Sequence, residues 1–522
     1  MGNIIKIFGA PGTGKTTDII RRITESGIPL KRIAYLSFSK DTLKEVRARM
    51  TSLGATKDDL ENFYTQHSMN YRLLGLRKES IANMHMKDFA EEFRWNFTPE
   101  LTSSEKTKST DDSCTSVSYL DEKLRSDDEL WNALELKRKK LLSDEDALLL
   151  VSHAMRFGIF QKFEKTFYEW CVKNEYVDFT GMIELGIQER ICPDVDMLCV
   201  DEMQDNCALQ NKQIEQITAQ VSSTIIAGDD DQAIHVYAGA DPKLFLNFPC
   251  NEKVILSETH RNPKSHLEYA QKIIRKNKHR EPKDIVSLKT DGNVIVWDNP
   301  RMVAPRIFSI MKKYPHLSWF ILARNKYTLK LYSHELKSEA VPVGFNFDEL
   351  SAFNFMTSEL PEFVSFATLD LLLSPIFPSG TYMQHGMKKR LEAIISHPDF
   401  KGLPYNSLGS VGFTEMFFYD HKNKNISNLK IKPEELMYIK KIKQEFTGKI
   451  PHAELMTLHA SKGKEADCVV ILSDIGKTSH DEELYGDIES ERRAYYVGAT
   501  RSKKMLIIVD EPVVRNYRTT II

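Results

Sequence analysis

Gly9-Ala-Pro-Gly-Thr-Gly-Lys15-Thr16 is the densest concentration of chemistry in the chain, and only eight residues precede it. It fits G-x-x-x-x-G-K-[ST], a pattern that turns successive backbone N–H groups onto a phosphate beside the positive end of a helix. Gly9, Ala10, Pro11, Gly12, Thr13, Gly14, Lys15, Thr16 and Thr17 are therefore candidates to cradle a nucleoside triphosphate. Lys15 has the reach for the β- and γ-phosphates, and the Thr16 hydroxyl suits Mg²⁺. A glycine-rich turn without a ligand is the plainer reading, and the complete spacing argues against it.

Asp194-Val-Asp-Met-Leu-Cys-Val-Asp201-Glu202 is an apolar strand ending in two acids. Beside bound phosphates, Asp201 is placed to hold Mg²⁺ through water and Glu202 to activate the attacking water. Gln232, in Gly228-Asp-Asp-Asp-Gln232, follows another apolar run; its amide can donate to phosphate and accept from water. Arg261 and Arg501 are candidate cations for the γ-phosphate, a role worth about 10³–10⁵ in rate where measured. An isolated arginine is more often a surface residue.

These residues need strands that deliver them to one edge and helices that follow. Asn3–Phe8, Ile33–Phe38, Met197–Val200 and Thr224–Ala227 read as buried strands of one α/β unit. Asn293–Trp297, Trp319–Ala323, Cys468–Leu472 and Met505–Val509 read as strands of a second. Helical spacing fills Glu129–Leu150 and Phe157–Val172, so the region between the first strands and Asp201 reads as a mainly helical insertion. Its basic cluster Lys137–Lys140 fits a solvated helix face better than a phosphate contact. Residues 102–118 are rich in Ser, Thr, Lys and Asp without a hydrophobic period, and no element is assigned there. A second insertion covers about 331–450, mostly helical, for example at Met387–Ile395 and Pro433–Phe446.

Bulk composition narrows the class. Across 522 residues, 41% hydrophobic and 28% charged content is that of a soluble globular chain. No apolar run approaches the roughly 18 residues of a membrane span. Seven scattered cysteines without a Cys-x-x-Cys pair suit a reducing, cytoplasmic setting. A net charge of −2 gives no overall pull toward nucleic acid, so any polynucleotide needs a local groove.

In order along the chain stand GAPGTGKT, SFSKDTLKEVRAR, TQHS, VDFTGMI, DEMQD, GDDDQAIHVYAGA, ETHRNP, MTLHASKGKE and ERRAYYVGATR. This series resembles superfamily 1 DNA helicases of the UvrD/Rep/PcrA type, from residue 9 to about 510. The resemblance implies an α/β protein of two RecA-like P-loop lobes with parallel sheets, each interrupted by a mainly helical insertion. On that frame, 1–75 and 176–258 form the first lobe around an insertion at 76–175. Residues 259–330 and 451–522 form the second around an insertion at 331–450.

It implies further that ATP and Mg²⁺ are the cofactors and that the lobes clamp ATP. Lys15, Thr16, Asp201, Glu202 and Gln232 would come from the first lobe, and Arg261 and Arg501 from the second. Glu465 would meet the ribose and His260 would replace the family's adenine-stacking tyrosine. Phe38, Thr65, His67, Tyr237, Thr457 and His459 would contact single-stranded DNA. Alone, Phe38 reads better as core, and Tyr237 could stack a base or be a buried tyrosine. The implied activity is 3′-to-5′ translocation with duplex unwinding, on single strands and single-strand/duplex junctions, with partners in replication or repair. An RNA helicase of the same superfamily, or a nucleotide-switched clamp without unwinding, are the alternatives. Two departures stand out: no Gln precedes the P-loop to read adenine, and position 238 is Ala where many relatives have Arg.

Overall fold

The structure is a computed structural model that describes residues 2–97, 127–151, 157–290, 292–345 and 451–514, with 517–522 and short pieces between 419 and 446. The 102–118 segment, the Met387–Ile395 helix and most of the second insertion lie outside the described residues.

The chain divides into two compact units, Met1–Gly292 with Asp481–Thr500 and Ile521, and Asn293–His480 with Arg501–Thr520 and Ile522. In the first, β1 (Asn3–Gly9), β2 (Ile33–Ser37), β3 (Phe63–Tyr64), β4 (Met197–Asp201), β5 (Ser223–Gly228) and β6 (Glu252–Leu256) form one sheet. Its order is β3-β2-β4-β5-β1-β6, and every pairing is parallel. Parallel strands are covered on both faces, which is why they read as unbroken apolar runs. Ile7, Ile33, Tyr35, Cys199 and Ala227 pack toward Ile19 and Ile23 of α1 (Lys15–Glu25) and Val46 of α2 (Lys40–Ser52). The alternate residues Phe8, Leu36, Leu198, Val200 and Ile226 pack in a separate cluster with Met69 of α3 (Gln66–Leu73).

Helices α4 (Met86–Phe93), α5 (Asp128–Lys140), α6 (Asp144–Val151) and α7 (Phe157–Lys173) enclose an aromatic core. Phe89, Trp131, Phe163, Phe167 and Trp170 are all buried there. The basic cluster on α5 does not face solvent as the sequence suggested. Lys137 pairs with Glu164 and Asp144, and Arg138 is buried between Asp178 and Glu184. Then α8 (Phe179–Gln188) leads into β4, with α9 (Ala208–Thr218) and α10 (Pro242–Asn247) after it.

Residues 259–292, expected to open the second lobe, belong to the first unit. There β7 (Glu258–Pro263) pairs with β8 (Val286–Lys289), flanking α11 (Lys264–Ile274). The physical reason is direct bonding to the P-loop: Thr259 Oγ1 donates to Pro11 O at 2.7 Å and His260 N to Gly12 O at 3.1 Å.

In the second unit, β9 (Asn293–Trp297), β10 (Trp319–Ala323), β11 (Val343–Phe345), β14 (Ala453–Thr457), β15 (Ala466–Leu472) and β17 (Ser502–Val509) are ordered β11-β14-β10-β15-β17-β9, again all parallel. Helices α12 (Val303–Lys313) and α13 (Lys326–Ser338) pack on it through Ile307, Met311, Leu329 and Leu336. Antiparallel pairs join β12 (Tyr419–Asp420) to β13 (Asn425–Ile426) and β16 (Asp474–Ile475) to β18 (Tyr517–Arg518). After α14 (Lys477–Tyr485) the chain returns to the first unit as α15 (Ile488–Ala499), which the sequence had assigned to the second lobe. Its Arg493 donates to Asp230 O and His279 O, and this bonding holds it there. Among the described residues no helix is long and apolar enough to cross a membrane.

Candidate nucleotide site and nucleic-acid face

The P-loop leaves β1 at Gly9 and enters α1 at Lys15. Gly12 at φ +76° and Gly14 at φ +85° take left-handed backbone that only glycine adopts readily. Thr13 Oγ1 closes the turn onto Ala10 O at 2.9 Å. Lys15 is buried, and its ammonium bonds Gly9 O at 2.9 Å, so the charge lies across the loop it serves. Thr17, in the first turn of α1, accepts from Arg49 at 3.0 Å.

Asp201 ends β4 with 1% exposure. Its Oδ2 accepts from Thr16 Oγ1 at 2.7 Å and from the Tyr35 hydroxyl at 2.7 Å, and its Oδ1 from Glu202 N at 2.9 Å. Burial and then the neighbouring Glu202 charge push the Asp201 carboxyl above the usual carboxylate range; the Tyr35 and Thr16 hydroxyls and Lys15 pull against them. Burial and Asp201 likewise push the Tyr35 phenol well up, so it stays a donor. A hydroxyl and a carboxylate oxygen in contact, with no fixed cation bonded to either among the described residues, form the sparse hard-oxygen set that Mg²⁺ takes when water and phosphate fill its other positions. Thr16 and Asp201 would hold it. Glu202, just past the end of β4, takes a left-handed φ of +57°, strained for a non-glycine residue, and its carboxylate is half-buried.

The neighbouring strand β5 is followed by Asp229, Asp230 and Asp231, all buried, whose carboxylates lie close enough to hold a metal. An ammonium already fills that place. Lys283 Nζ lies 2.9, 2.5 and 3.0 Å from the three, and Arg280 adds a two-pronged contact to Asp231 at 2.8 and 2.7 Å. Burial, against the pull of Lys283, pushes Asp230 up to about 6. For Asp231, burial is outweighed by Lys283 and Arg280, which hold it low. Gln232 Nε2 donates to Asp229 Oδ2 at 2.7 Å. Gln204 bridges the two strand ends, donating to Glu202 and Asp205 and accepting from Asp229 N at 2.9 Å. Gly228 permits this: a Cβ there would stand 2.5 Å from Gln204 Oε1.

Arg261 lies in the P-loop's own unit, a correction to its expected delivery from the second lobe. A Cβ on Gly12 would fall 2.3 Å from the Arg261 Cβ, so β7 lies against the loop. His260 beside it is exposed. Arg501, in the second unit, is buried and donates to Lys464 O at 3.4 Å; Glu465 nearby is exposed and paired with Lys503.

Of the residues proposed to touch nucleic acid, Phe38, Thr65 and His67 line one cleft, together with Ser37 and Asp201. Thr65 caps α3 by exchanging bonds with Ser68, and His67 meets the edge of Phe179 at 6.1 Å. Phe38 and Tyr237 are half-buried. Between them lies His235, 5.4 Å from the Phe38 ring and 6.1 Å from the Tyr237 ring. Thr457 ends β14 and His459 opens the turn that follows, both half-buried, in the second unit.

Sequence reasoning missed Tyr35, His235 and Lys283. Tyr35 had one signal, a phenol inside an aliphatic run that must find a partner once buried. Lys283 was submerged in a basic segment, and His235 in a motif read for its neighbours.

Comparison with known proteins agrees with this geometry. Residues 1–252 match the UvrD/REP helicase N-terminal domain, and residues 419–511 the UvrD-like helicase C-terminal domain. A probable DNA helicase II homolog of Mycoplasma capricolum is 22% identical, aligned over 97% of this chain and 82% of that protein. The ATP-dependent DNA helicase PcrA of Staphylococcus epidermidis is 23% identical over 56% of this chain and 40% of its own. The ATP-dependent DNA helicase Rep of Buchnera aphidicola is 22% identical over 64% and 52%. The matches thus span about half the length, or less, of the PcrA and Rep relatives.

Proposed function

The chain belongs to the UvrD/REP helicase family, and from that premise we propose that it hydrolyses ATP to travel along single-stranded DNA, 3′ to 5′, and part duplexes. One observation carries the reading: Thr16 at the start of α1 contacts Asp201 at the end of β4 at 2.7 Å, with the charge of the adjacent Lys15 felt by that carboxylate.

In this reading the loop amides and Lys15 bind the phosphates. Mg²⁺, held by Thr16 and Asp201, would supply charge for the leaving phosphate. Glu202 takes a proton from the attacking water. Gln232, fixed by Asp229, and Arg261, carried beside Gly12 on β7, serve the γ-phosphate. Arg501 is the second such cation, Glu465 takes the ribose, and His260 takes the base face. The row Phe38, His235, Tyr237 offers rings on which bases stack, worth about 1–3 kcal/mol each without regard to sequence. Thr65, His67, Thr457 and His459 complete the strand contacts. Single-strand/duplex junctions follow as the working substrate.

Unwinding of paired 3′-tailed and 5′-tailed duplexes with ATP tests this. Separation of the 3′-tailed duplex alone supports the proposal, and separation of only the 5′-tailed one overturns the direction. ATP hydrolysis stimulated more by poly-U than by poly-dT would make RNA the substrate.

A further inference from the structure

Building on this reading, we propose that Tyr35 is a positioning residue for the reaction: its hydroxyl locks the Asp201 carboxylate in the orientation that meets Thr16 and the metal–nucleotide. Tyr35 sits in the middle of β2 with no exposed surface, its ring stacked on Phe63 at 5.4 Å and 12°. A phenol clamped in this way cannot swing, so its single proton is aimed at one place. That place is Asp201 Oδ2, 2.7 Å away, the same oxygen that meets Thr16. A carboxylate rotates about its Cβ–Cγ bond unless both ends are held. Here Glu202 N holds Oδ1 and Tyr35 holds Oδ2, so the oxygen facing Thr16 is fixed before any ligand arrives.

No other side chain of β2 does this. Ser37 stands in register opposite Asp201 and is buried, yet among the described residues its hydroxyl has no hydrogen-bond partner. The contact is also more than the satisfaction of a buried phenol. A backbone carbonyl would have served that need, whereas this partner is the carboxylate on which the metal role rests. Groups that orient a metal-binding residue from behind are typically worth about 10–100-fold in metal affinity.

Tyr35→Phe removes the hydroxyl and keeps the stacked ring. The test is calorimetric binding of ADP to the full chain, once with Mg²⁺ and once with EDTA, alongside thermal melting. MgADP should bind about 10-fold more weakly in the variant, with metal-free ADP within twofold of wild type and the melting temperature little changed. In turnover assays the half-saturating Mg²⁺ should rise while the rate at saturating Mg²⁺ stays close to wild type. Unchanged MgADP affinity, or equal losses in both arms, overturns the proposal. Lys15→Ala separates the two readings: it should weaken both arms. If it binds nucleotide like wild type, the P-loop reading fails and the Tyr35 proposal with it.

Discussion

Two acidic clusters stand at the ends of adjacent strands, and they are put to opposite uses. At the end of β5, Asp229, Asp230 and Asp231 surround Lys283, with Arg280 closing one side. Fixed cations neutralise the acids and tie the 277–283 segment to the loop that carries Gln232. At the end of β4, Asp201 accepts from two hydroxyls and a backbone amide, and among the described residues no side-chain cation is bonded to it. Acid count alone points to the triad, yet that triad already surrounds an ammonium, whereas Asp201 is bonded by hydroxyl and amide donors.

Substitutions at the two clusters should separate accordingly. Glu202→Gln should lower ATP turnover about 10²–10⁴-fold while ATP still binds; turnover near wild type would put the base elsewhere. Lys283→Met should act on folding instead. Removing one partner of a buried ion cluster costs about 3–5 kcal/mol, read from denaturant unfolding against wild type. A loss below about 1 kcal/mol would erase the contrast, since Lys283 would then behave as a surface ion pair.

The strand that docks on the P-loop offers a smaller lever. Gly12→Ala forces a side chain into φ +76° and onto Arg261, which should cost about 2 kcal/mol and weaken nucleotide binding. Unchanged stability and binding would mean that β7 shifts freely away from the loop.

A third acid sharpens the comparison at the low end. Asp474 is buried in the second unit, bonded by the amides of Val513 and Val514, and burial pushes it up to about 6. Its folded value lies above the usual 3.9 or so of an unfolded Asp. The folded chain therefore binds that proton more tightly, and this group's contribution to stability declines as pH rises from about 4 to about 6. Asp474→Asn should flatten that slope by an amount of order 1 kcal/mol, measured by unfolding at several pH values. An unaltered slope would assign it to other groups.

Much of this organisation could be read from residue order. Unbroken apolar runs ending in Gly9, Asp201 and Gly228 announced parallel strands delivering chemistry to one edge, because two-sided burial leaves no alternation to blur them. The boundary at 258/259 was not legible: what binds β7 to the first unit is a pair of backbone and hydroxyl contacts to Pro11 and Gly12, set by register. Arg261 was consequently assigned to the wrong body. Tyr35 and Lys283 escaped for the same reason, since their partners lie 166 and about 53 positions away along the chain and no local period encodes such a meeting. The Lys137–Lys140 cluster misled in the other direction, because the acids that pair Lys137 and Arg138 arrive from beyond its own helix.

The most direct test is ATP hydrolysis by wild type and Lys15→Ala, with and without single-stranded poly-dT, together with strand binding. Wild-type hydrolysis should be strongly stimulated by the strand. Lys15→Ala should lose that hydrolysis while strand binding persists. A Lys15→Ala variant with normal strand-stimulated hydrolysis would contradict the assignment of the fuel site to this loop.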